Sequence, residues 1–269
     1  MDDIIRKLLD LRYLQWSKTR KSSGTAGSFL KSYDDTGERK LYYKLSDYDA
    51  QKGVVGHECV NEIIAQRMLT LLHIPHLTYT LLHAKIIVED TELVTWLCRS
   101  EDFKLPGESK LPLEDYYALE KKDGESPLDF CLRLHWENTI YGMLVIDHLI
   151  INRDRHGANL EVLINRRNQT IRLAPLFDQG LSLVCRCHTE EELARFDPLE
   201  DRRIQSFVGS QSTFENLKLI PGSWLRQLPK LSDEEISSVT NGLVGALSKP
   251  YTEKIREILI RRWHSLETL

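Results

Sequence analysis

Short apolar runs alternate with turn residues through the first hundred positions of the chain. The runs 29–33 and 41–45 predict two strands that are separated by a good turn sequence. Three further runs, at 77–83, 85–88 and 93–97, also predict strands. This half of the chain therefore predicts an antiparallel sheet.

Helical spacing occurs at two places in the same region. Ile4, Leu8 and Leu11 recur at helical intervals, which predicts an amphipathic helix over roughly the first fifteen residues. Residues 58–72 carry an apolar stripe and precede Pro75, so they predict a second helix that ends before the proline.

The pattern becomes mainly helical in the second half of the chain. Residues 134–151 predict one long helix, and further helices are predicted from Ser232 onward, because Ser232 and Glu235 have the spacing of a capping box. Between these regions, 160–164 and 170–173 predict a hairpin.

Residues 101–127 are polar and contain several prolines and glycines, which indicates a connector. The sequence therefore predicts an α+β protein with two lobes. Residues 1–100 are expected to form a lobe with an antiparallel sheet and one helix, and residues 101–269 a mainly helical lobe. Ligands tend to bind where such lobes meet, so we expect a site in the cleft between them.

Composition and charge exclude several classes of protein. The 269 residues are 41% hydrophobic and 28% charged, which is typical of a folded globular protein. Lys and Arg number 36 against 40 Asp and Glu, and no basic stripe stands out, so we expect no direct binding to nucleic acid. The most apolar later segment, 140–151, is interrupted by Asp147 and His148 and is too short to span a bilayer, so we expect no membrane association.

The amino terminus and the cysteines both indicate a cytoplasmic protein. Acidic residues interrupt the first apolar residues, so the pattern of a signal peptide is missing. The five cysteines are an odd number and mostly have apolar neighbours, which favours buried thiols in a reducing compartment. Cys185 and Cys187 are too few to form a structural zinc site.

The densest cluster of polar residues flanks the predicted hairpin. Asp154 and Asn159 lie just before it and Asp178 lies just after it, so the hairpin is expected to bring the three side chains together. Phosphoryl transfer requires oxygen ligands for Mg²⁺ and a carboxylate that orients the attacking hydroxyl. Asn159 and Asp178 suit the metal, and Asp154 suits the catalytic base. Asp147, within the apolar helical stretch, is interpreted as a structural brace for this loop.

The amino-terminal half supplies candidates for binding phosphates. Gly24 and Gly27 let backbone N–H groups approach phosphate oxygens, because glycine has no side chain to obstruct them. Lys44 lies on a predicted strand where a phosphate-pairing lysine is expected. Glu58 and Glu62 lie four residues apart on one face of the following helix, so the sequence leaves open which of them pairs with this lysine.

The motif D-R-H-x-x-N at 154–159, followed by Phe177-Asp178, resembles the HipA-like serine/threonine kinases. The same order is similar to that of phosphatidylinositol kinases. The match to the HipA-like family extends to 43–46 and 72–75, so it is the better of the two. We expect a short form that lacks the additional amino-terminal subdomain of the long members, because the kinase pattern begins near the start of the chain.

This resemblance implies a two-lobed protein-kinase-like fold and an enzyme that uses ATP and Mg²⁺. It implies transfer of the γ-phosphoryl group to a serine or threonine of a protein substrate. It also implies autophosphorylation in the glycine-rich loop, at Ser22, Ser23 or Ser28, which the sequence does not rank. A separate antitoxin-type partner chain is a further implication, and toxin function is left open because no helix-turn-helix segment is evident.

The resemblance also implies a role for each residue of the motif. Asp154 is the implied catalytic base, Asn159 and Asp178 are the implied metal ligands, and His156 is placed near the phosphates. The strand 94–98 is implied to lead into a hinge whose backbone reads adenine. The full set of candidate nucleotide-binding residues is Gly24, Thr25, Ala26, Gly27, Lys44, Glu62, Trp96, Cys98, His156, Asn159 and Asp178.

Two alternatives keep the same fold. In the first, the acceptor is a lipid or a small molecule, or the transferred group is nucleotidyl rather than phosphoryl. In the second, the chain is a catalytically inactive nucleotide-binding module with a regulatory role. The products formed from ATP distinguish the first alternative, and binding of ATP without turnover would indicate the second.

Overall fold

The computed structural model describes residues 3–17 and 29–269. The strands are β1 (Ile4–Asp10), β2 (Lys31–Asp34), β3 (Leu41–Leu45), β4 (Tyr48–Asp49), β5 (Gly53–Val54), β6 (Tyr79–Val88), β7 (Thr91–Glu101), β8 (Ser109–Pro112), β9 (Asp154–Arg155), β10 (Glu161–Asn165), β11 (Thr170–Leu173) and β12 (Gln205–Ser206). The helices are α1 (Glu58–Leu71), α2 (Leu113–Glu120), α3 (Pro127–Arg133), α4 (Glu137–Leu149), α5 (Glu190–Arg195), α6 (Thr213–Leu217), α7 (Gly222–Leu225), α8 (Asp233–Ser238) and α9 (Lys249–Glu267), and a 3-10 turn covers Gly157–Asn159.

The predicted sheet has five strands in the order β1-β6-β7-β3-β2. Neighbouring strands are antiparallel, except that β1 runs parallel to β6. The strands predicted at 77–83 and 85–88 are one continuous strand, β6, which turns into β7 at Glu89 and Asp90. These two residues have positive φ angles of 48° and 66°, as a two-residue type I′ hairpin turn requires.

The prediction of an amino-terminal helix is wrong, because β1 covers this segment. β1 pairs with β6, and the register of the pair shifts between Ile5 and Leu9. Leu8 is 46% exposed whereas Leu11 is buried, so the helical spacing of Ile4, Leu8 and Leu11 does not correspond to one buried face. The strand that stabilises β1 lies far along the chain, and no local pattern indicates it.

Helix α1 forms where the apolar stripe predicts it, and it lies in the main apolar core. Its residues Ile63, Ile64 and Met68 are completely buried. The helix contacts strands β6 and β7 of the sheet and also contacts helix α4. Packing therefore fixes α1 against both the sheet and the helical part of the molecule.

The second half of the chain contains the predicted hairpin, formed by β10 and β11, and the predicted capping box of Ser232 at the start of α8. The helix predicted at 134–151 is shorter than expected. His135 has a positive φ of 59° and separates α3 from α4, because a residue in that conformation cannot continue a right-handed helix.

The connector predicted at 101–127 carries more structure than expected. Strand β8 pairs with β10 and adds a third strand to the hairpin, in the order β11-β10-β8. Helix α2 follows directly and contacts the 3-10 turn. Strand β7 runs across the predicted boundary between residues 100 and 101, and that boundary stays a prediction.

Helix α4 carries the apolar segment that Asp147 and His148 interrupt. Both of these polar side chains are buried. Among residues 3–17 and 29–269, no helix is long and apolar enough to cross a membrane.

We expect Gly142→Ala to destabilise the protein, although alanine ordinarily favours a helix. A Cβ atom at Gly142 of α4 would lie 2.9 Å from Cγ2 of Ile74, which is too close for packed atoms. The overpacking is expected to lower the free energy of unfolding by about 1–3 kcal/mol, against a helix-propensity gain of about 1 kcal/mol. Urea denaturation measures the net change.

A double-mutant cycle with Ile74→Ala provides the control. This change removes the side-chain atoms that the new Cβ would meet. It should therefore cost less free energy of unfolding in the Gly142→Ala protein than in the wild type. Additive effects of the two substitutions would contradict the predicted clash.

Candidate active site

Strand β3 and helix α1 hold a buried ion pair. Lys44 of β3 is in register with Cys98 of β7, and its Nζ lies 2.8 Å from Oε1 of Glu62. The other carboxylate oxygen of Glu62 accepts a hydrogen bond of 2.9 Å from the backbone N–H of Gln179. Both oxygens of this completely buried carboxylate therefore have a partner, as a buried charge requires.

The sequence leaves open whether Glu58 or Glu62 pairs with Lys44, and in the structure the partner is Glu62. Oε2 of Glu58 accepts a hydrogen bond of 3.0 Å from the backbone N–H of Asp47. Burial raises the pKa of Glu58 above its ordinary value. Lys44 instead pairs with Glu62, about one helical turn further along α1.

Asp178 lies after β11 and meets the same lysine. Its Oδ1 lies 2.5 Å from Nζ of Lys44, and its Oδ2 lies 3.5 Å from Nζ of Lys31. Burial acts to lower the pKa of Lys44, but the charges of Asp178 and Glu62 outweigh burial and raise that pKa well above its ordinary value. Lys44 is therefore a charged group held between two carboxylates.

The backbone around Asp178 is tightly constrained. Asp178 has a φ of 60°, in the left-handed region that few residues other than glycine adopt. Two residues later, a Cβ at Gly180 would lie 3.1 Å from Nζ of Lys44 and 3.2 Å from the carbonyl oxygen of Glu58. The side chain of Asn61 donates a hydrogen bond of 2.9 Å to the carbonyl oxygen of Gly180. Helix α1 thus positions the loop that carries Asp178.

Asp154, Asn159 and His156 lie together on the loop before the hairpin. Nδ2 of Asn159 donates to the backbone oxygen of Asp154 at 2.7 Å and to its Oδ2 at 3.3 Å. Nε2 of His156 lies 3.6 Å from Oδ1 of Asp154, and Nδ1 of His156 accepts a hydrogen bond from the N–H of Ala158. The side chain of Asp154 is 26% exposed, so a substrate can reach its carboxylate.

A buried arginine connects the two loops. The Nε and Nη2 atoms of Arg155 donate hydrogen bonds of 3.0 and 2.8 Å to the carboxylate of Asp147, which braces the loop as predicted. Nη1 of Arg155 donates a hydrogen bond of 2.9 Å to the carbonyl oxygen of Phe177, the residue before Asp178. No role was predicted for Arg155 from the sequence. The sequence nevertheless contains a signal for this pair. Asp147 lies inside an apolar helix, and a buried carboxylate requires a basic partner.

A cavity of about 850 Å³ lies beside these loops, a volume suited to a ligand of nucleotide size. Phe103 and Phe177 stack with their ring centroids 5.5 Å apart and provide an apolar wall. Asp154, Asn159, His156 and Glu62 do not line it, although Ala158 of the same loop does. The lining residues that concern the site are Lys31, Lys44, Cys98, Ser100, Phe103, Ala158, Phe177 and Asp178.

Trp96 does not line the cavity either, and its role in nucleotide binding stays a prediction. Its ring stacks on His83 at a centroid distance of 4.9 Å, and its Nε1 donates a hydrogen bond of 3.1 Å to the carbonyl oxygen of Gly245. Strand β7 continues beyond Trp96 to Glu101. The part of the strand that reaches the cavity therefore begins at Cys98.

The predicted glycine-rich segment 24–27 lies outside the described residues. The same is true of the predicted phosphorylation sites Ser22, Ser23 and Ser28. The roles of these residues stay predictions.

The donor set fits a magnesium ion that is shared with phosphates. Asp178 offers carboxylate oxygens, and Asn159 offers its Oδ1, because its Nδ2 already donates to Asp154. Within residues 3–17 and 29–269, no three His, Cys, Asp or Glu side chains form a metal-binding group of their own. Mg²⁺ at phosphoryl-transfer sites needs only one or two protein carboxylates, since phosphates and water complete its coordination.

Comparison with solved structures identifies the fold. No family model matches the chain, and no curated protein matches it either. The chain is similar to the Helicobacter pylori proinflammatory kinase CtkA, with 16% identity and a TM-score of 0.62, over 96% of this chain and 94% of that one. It also matches HipA of Shewanella oneidensis MR-1, solved with HipB and operator DNA, with 15% identity and a TM-score of 0.44, over 94% of this chain and 66% of that one.

The similarity to CtkA confirms the predicted two-lobed α+β fold of a kinase. The match covers nearly the whole of both chains. The predicted resemblance is therefore confirmed at the level of the fold.

We expect Asp147→Asn to destabilise the protein strongly, because it leaves the completely buried guanidinium of Arg155 without a countercharge. The expected loss in the free energy of unfolding is about 3–5 kcal/mol. Chemical denaturation measures it. The matched control is Asp123→Asn, the same change at an exposed position, which should cost no more than about 0.5 kcal/mol. Equal stability of the two variants would contradict the bracing role.

Proposed function

We propose that this chain is a kinase that binds ATP and Mg²⁺ and transfers the γ-phosphoryl group to serine or threonine hydroxyls of a protein. The proposal rests on Arg155, which joins the loop of Asp154 to the loop of Asp178 beside the cavity. Phosphoryl transfer requires a group that orients the hydroxyl and a metal-binding carboxylate at one place. The shared link to Arg155 supports that arrangement.

In this proposal, Lys44 binds the phosphates of ATP and Glu62 keeps the lysine in position and charged. Asp178 and the Oδ1 atom of Asn159 hold Mg²⁺, which neutralises charge on the phosphates when it is bound. Nζ of Lys44 lies 2.5 Å from Oδ1 of Asp178. This short distance supports a single site for the phosphate-binding and metal-binding groups.

Asp154 acts as the catalytic base and orients the attacking hydroxyl. Its partial exposure supports this role, and the amide of Asn159 fixes the position of its carboxylate. His156 lies on the other side of that carboxylate, near the phosphates in this proposal. A proton from the acceptor hydroxyl passes to Asp154 as the phosphoryl group is transferred.

The adenine ring occupies the apolar end of the cavity in this proposal. Phe103 and Phe177 provide a stacking surface there, and Cys98 and Ser100 line the same cavity. The role of residues 24–27 in binding the phosphates stays a prediction from the sequence. A cytoplasmic location and an antitoxin-type partner chain stay predictions from the sequence resemblance.

We expect Asp154→Asn and Asp178→Asn each to lower phosphotransfer from ATP by at least about 10²-fold, because each removes a charge used in the transition state. Asparagine preserves the size of both side chains and tolerates the left-handed φ of position 178. Label from γ-³²P ATP that appears in a panel of protein acceptors measures the transfer, and circular dichroism checks the fold. Asp123→Asn, exposed and distant from the motif, should retain activity. Full activity in either site variant would refute its assigned role.

We also expect the label to identify the transferred group. Label at the γ position of ATP should appear on serine or threonine of a protein, whereas label at the α position should not. Transfer of α label would indicate nucleotidyl transfer, and γ label in a lipid or small molecule would indicate a different acceptor. Phosphoamino-acid analysis of the labelled protein completes the measurement.

A further inference from the structure

Two cysteine thiols meet beside the cavity, where helix α1 packs on strand β7. Cys59 of α1 is completely buried, and Cys98 of β7 is only 1% exposed. The two thiols are hydrogen-bonded to each other, and the backbone N–H of Cys98 also donates to the sulfur of Cys59. Sγ of Cys59 donates a hydrogen bond of 3.0 Å to the carbonyl oxygen of Lys44, the residue in register with Cys98. The fold therefore holds the two sulfur atoms in contact.

The two thiols ionise with different ease. Burial acts to raise the pKa of Cys59, but hydrogen bonds from Cys98 and Ser46 outweigh burial and lower that pKa. The hydrogen bond to Cys59 raises the pKa of Cys98 well above its ordinary value, and burial acts in the same direction. Cys59 is thus the more readily ionised thiol, and Cys98 stays protonated beside it. A thiol of lowered pKa next to a second thiol is typical of a redox-sensitive pair.

The cavity gives a small oxidant access to this pair. Among the five cysteines, all within the described residues, only Cys98 lines the cavity. Burial raises the pKa of the other three, Cys131, Cys185 and Cys187, to about 12 for Cys131 and about 11 for Cys185. Buried thiols of raised pKa are inert, so oxidation is expected to select the pair at the cavity.

We propose that Cys59 and Cys98 form an oxidative modification site, at which hydrogen peroxide joins the two thiols in a disulfide. In this reaction the O–O bond of the peroxide breaks and an S–S bond forms. The two thiols are oxidised, the peroxide is reduced to two molecules of water, and the two thiol protons leave in that water. A dithiol reductant restores both thiols by thiol–disulfide exchange.

The disulfide would act on the candidate active site through helix α1. Cys59 lies three residues before Glu62 on this helix, and Cys98 lies opposite Lys44 in the sheet. A covalent bond between α1 and β7 therefore restricts movement of Glu62 relative to Lys44. Cys59 also loses the proton that it donates to the carbonyl oxygen of Lys44. This effect on the site rests on the proposed function, whereas formation of the disulfide does not and can be tested by itself.

Peptide mapping of the wild-type protein after peroxide treatment tests the proposal. The folded protein is treated with hydrogen peroxide, catalase removes the excess, and the remaining thiols are alkylated in denaturant. Of the five cysteines, three should be alkylated, and a disulfide should link the peptides that contain Cys59 and Cys98. Treatment with dithiothreitol before alkylation should make all five cysteines reactive again.

Two outcomes of the mapping overturn the proposal. The first is a disulfide between any other two cysteines, such as Cys185 and Cys187. The second is the absence of a disulfide, whether the thiols stay unchanged or Cys98 is oxidised to a sulfinic acid. Cys131→Ala, at a third buried cysteine, is the matched control and should form the disulfide at the wild-type rate, whereas Cys98→Ala should form none.

Protection by ATP gives an independent test of the access route. If the nucleotide fills the cavity, ATP with Mg²⁺ at about ten times its dissociation constant should slow disulfide formation about tenfold, because only the free protein reacts. An unchanged rate with ATP bound would overturn the access that the proposal requires. Failure of ATP to bind in equilibrium dialysis would contradict the proposed function instead, and the peptide mapping would still decide whether the disulfide forms.

Discussion

The candidate site depends on keeping one buried lysine charged. Lys44 is removed from water, and the loss of hydration costs several kcal/mol unless opposite charges replace it. Glu62 and Asp178 supply those charges from a helix and from a loop far along the chain. Because Glu62 also accepts the N–H of Gln179, the ion pair determines where the loop after β11 runs.

A second buried pair works in the same way on the other loop. Asp147 belongs to helix α4, and Arg155 reaches from the loop before the hairpin to both this carboxylate and the backbone at Phe177. Helices α1 and α4 contact each other in the main apolar core. Two ion pairs, Lys44–Glu62 and Arg155–Asp147, thus position the charged groups of the site. Each pair has its carboxylate on one of the two packed helices, α1 and α4.

Features encoded by nearby residues were predictable from the sequence, whereas features that depend on distant partners were not. The stripe of α1, the hairpin and the capping box of α8 follow from local spacing. The hairpin in turn predicts that Asp178 approaches Asp154 and Asn159, and Arg155 joins the two loops that carry them. Strands β1 and β8 were missed, because each is stabilised by a strand remote in sequence. The full length of β7 was also missed, because the end of this strand is set by its pairing with β3, which reaches Glu101.

The path from the sheet to the hairpin has a mechanical consequence. Only residues 102–108 separate the end of β7 from β8, and β8 is itself a strand of the hairpin sheet. Within this crossing, the buried carboxylate of Glu108 pairs with Arg172 of β11 at 2.8 Å. Any rotation of the five-stranded sheet relative to the hairpin sheet therefore has to be taken up within these seven residues, whose last member is held to β11 by an ion pair.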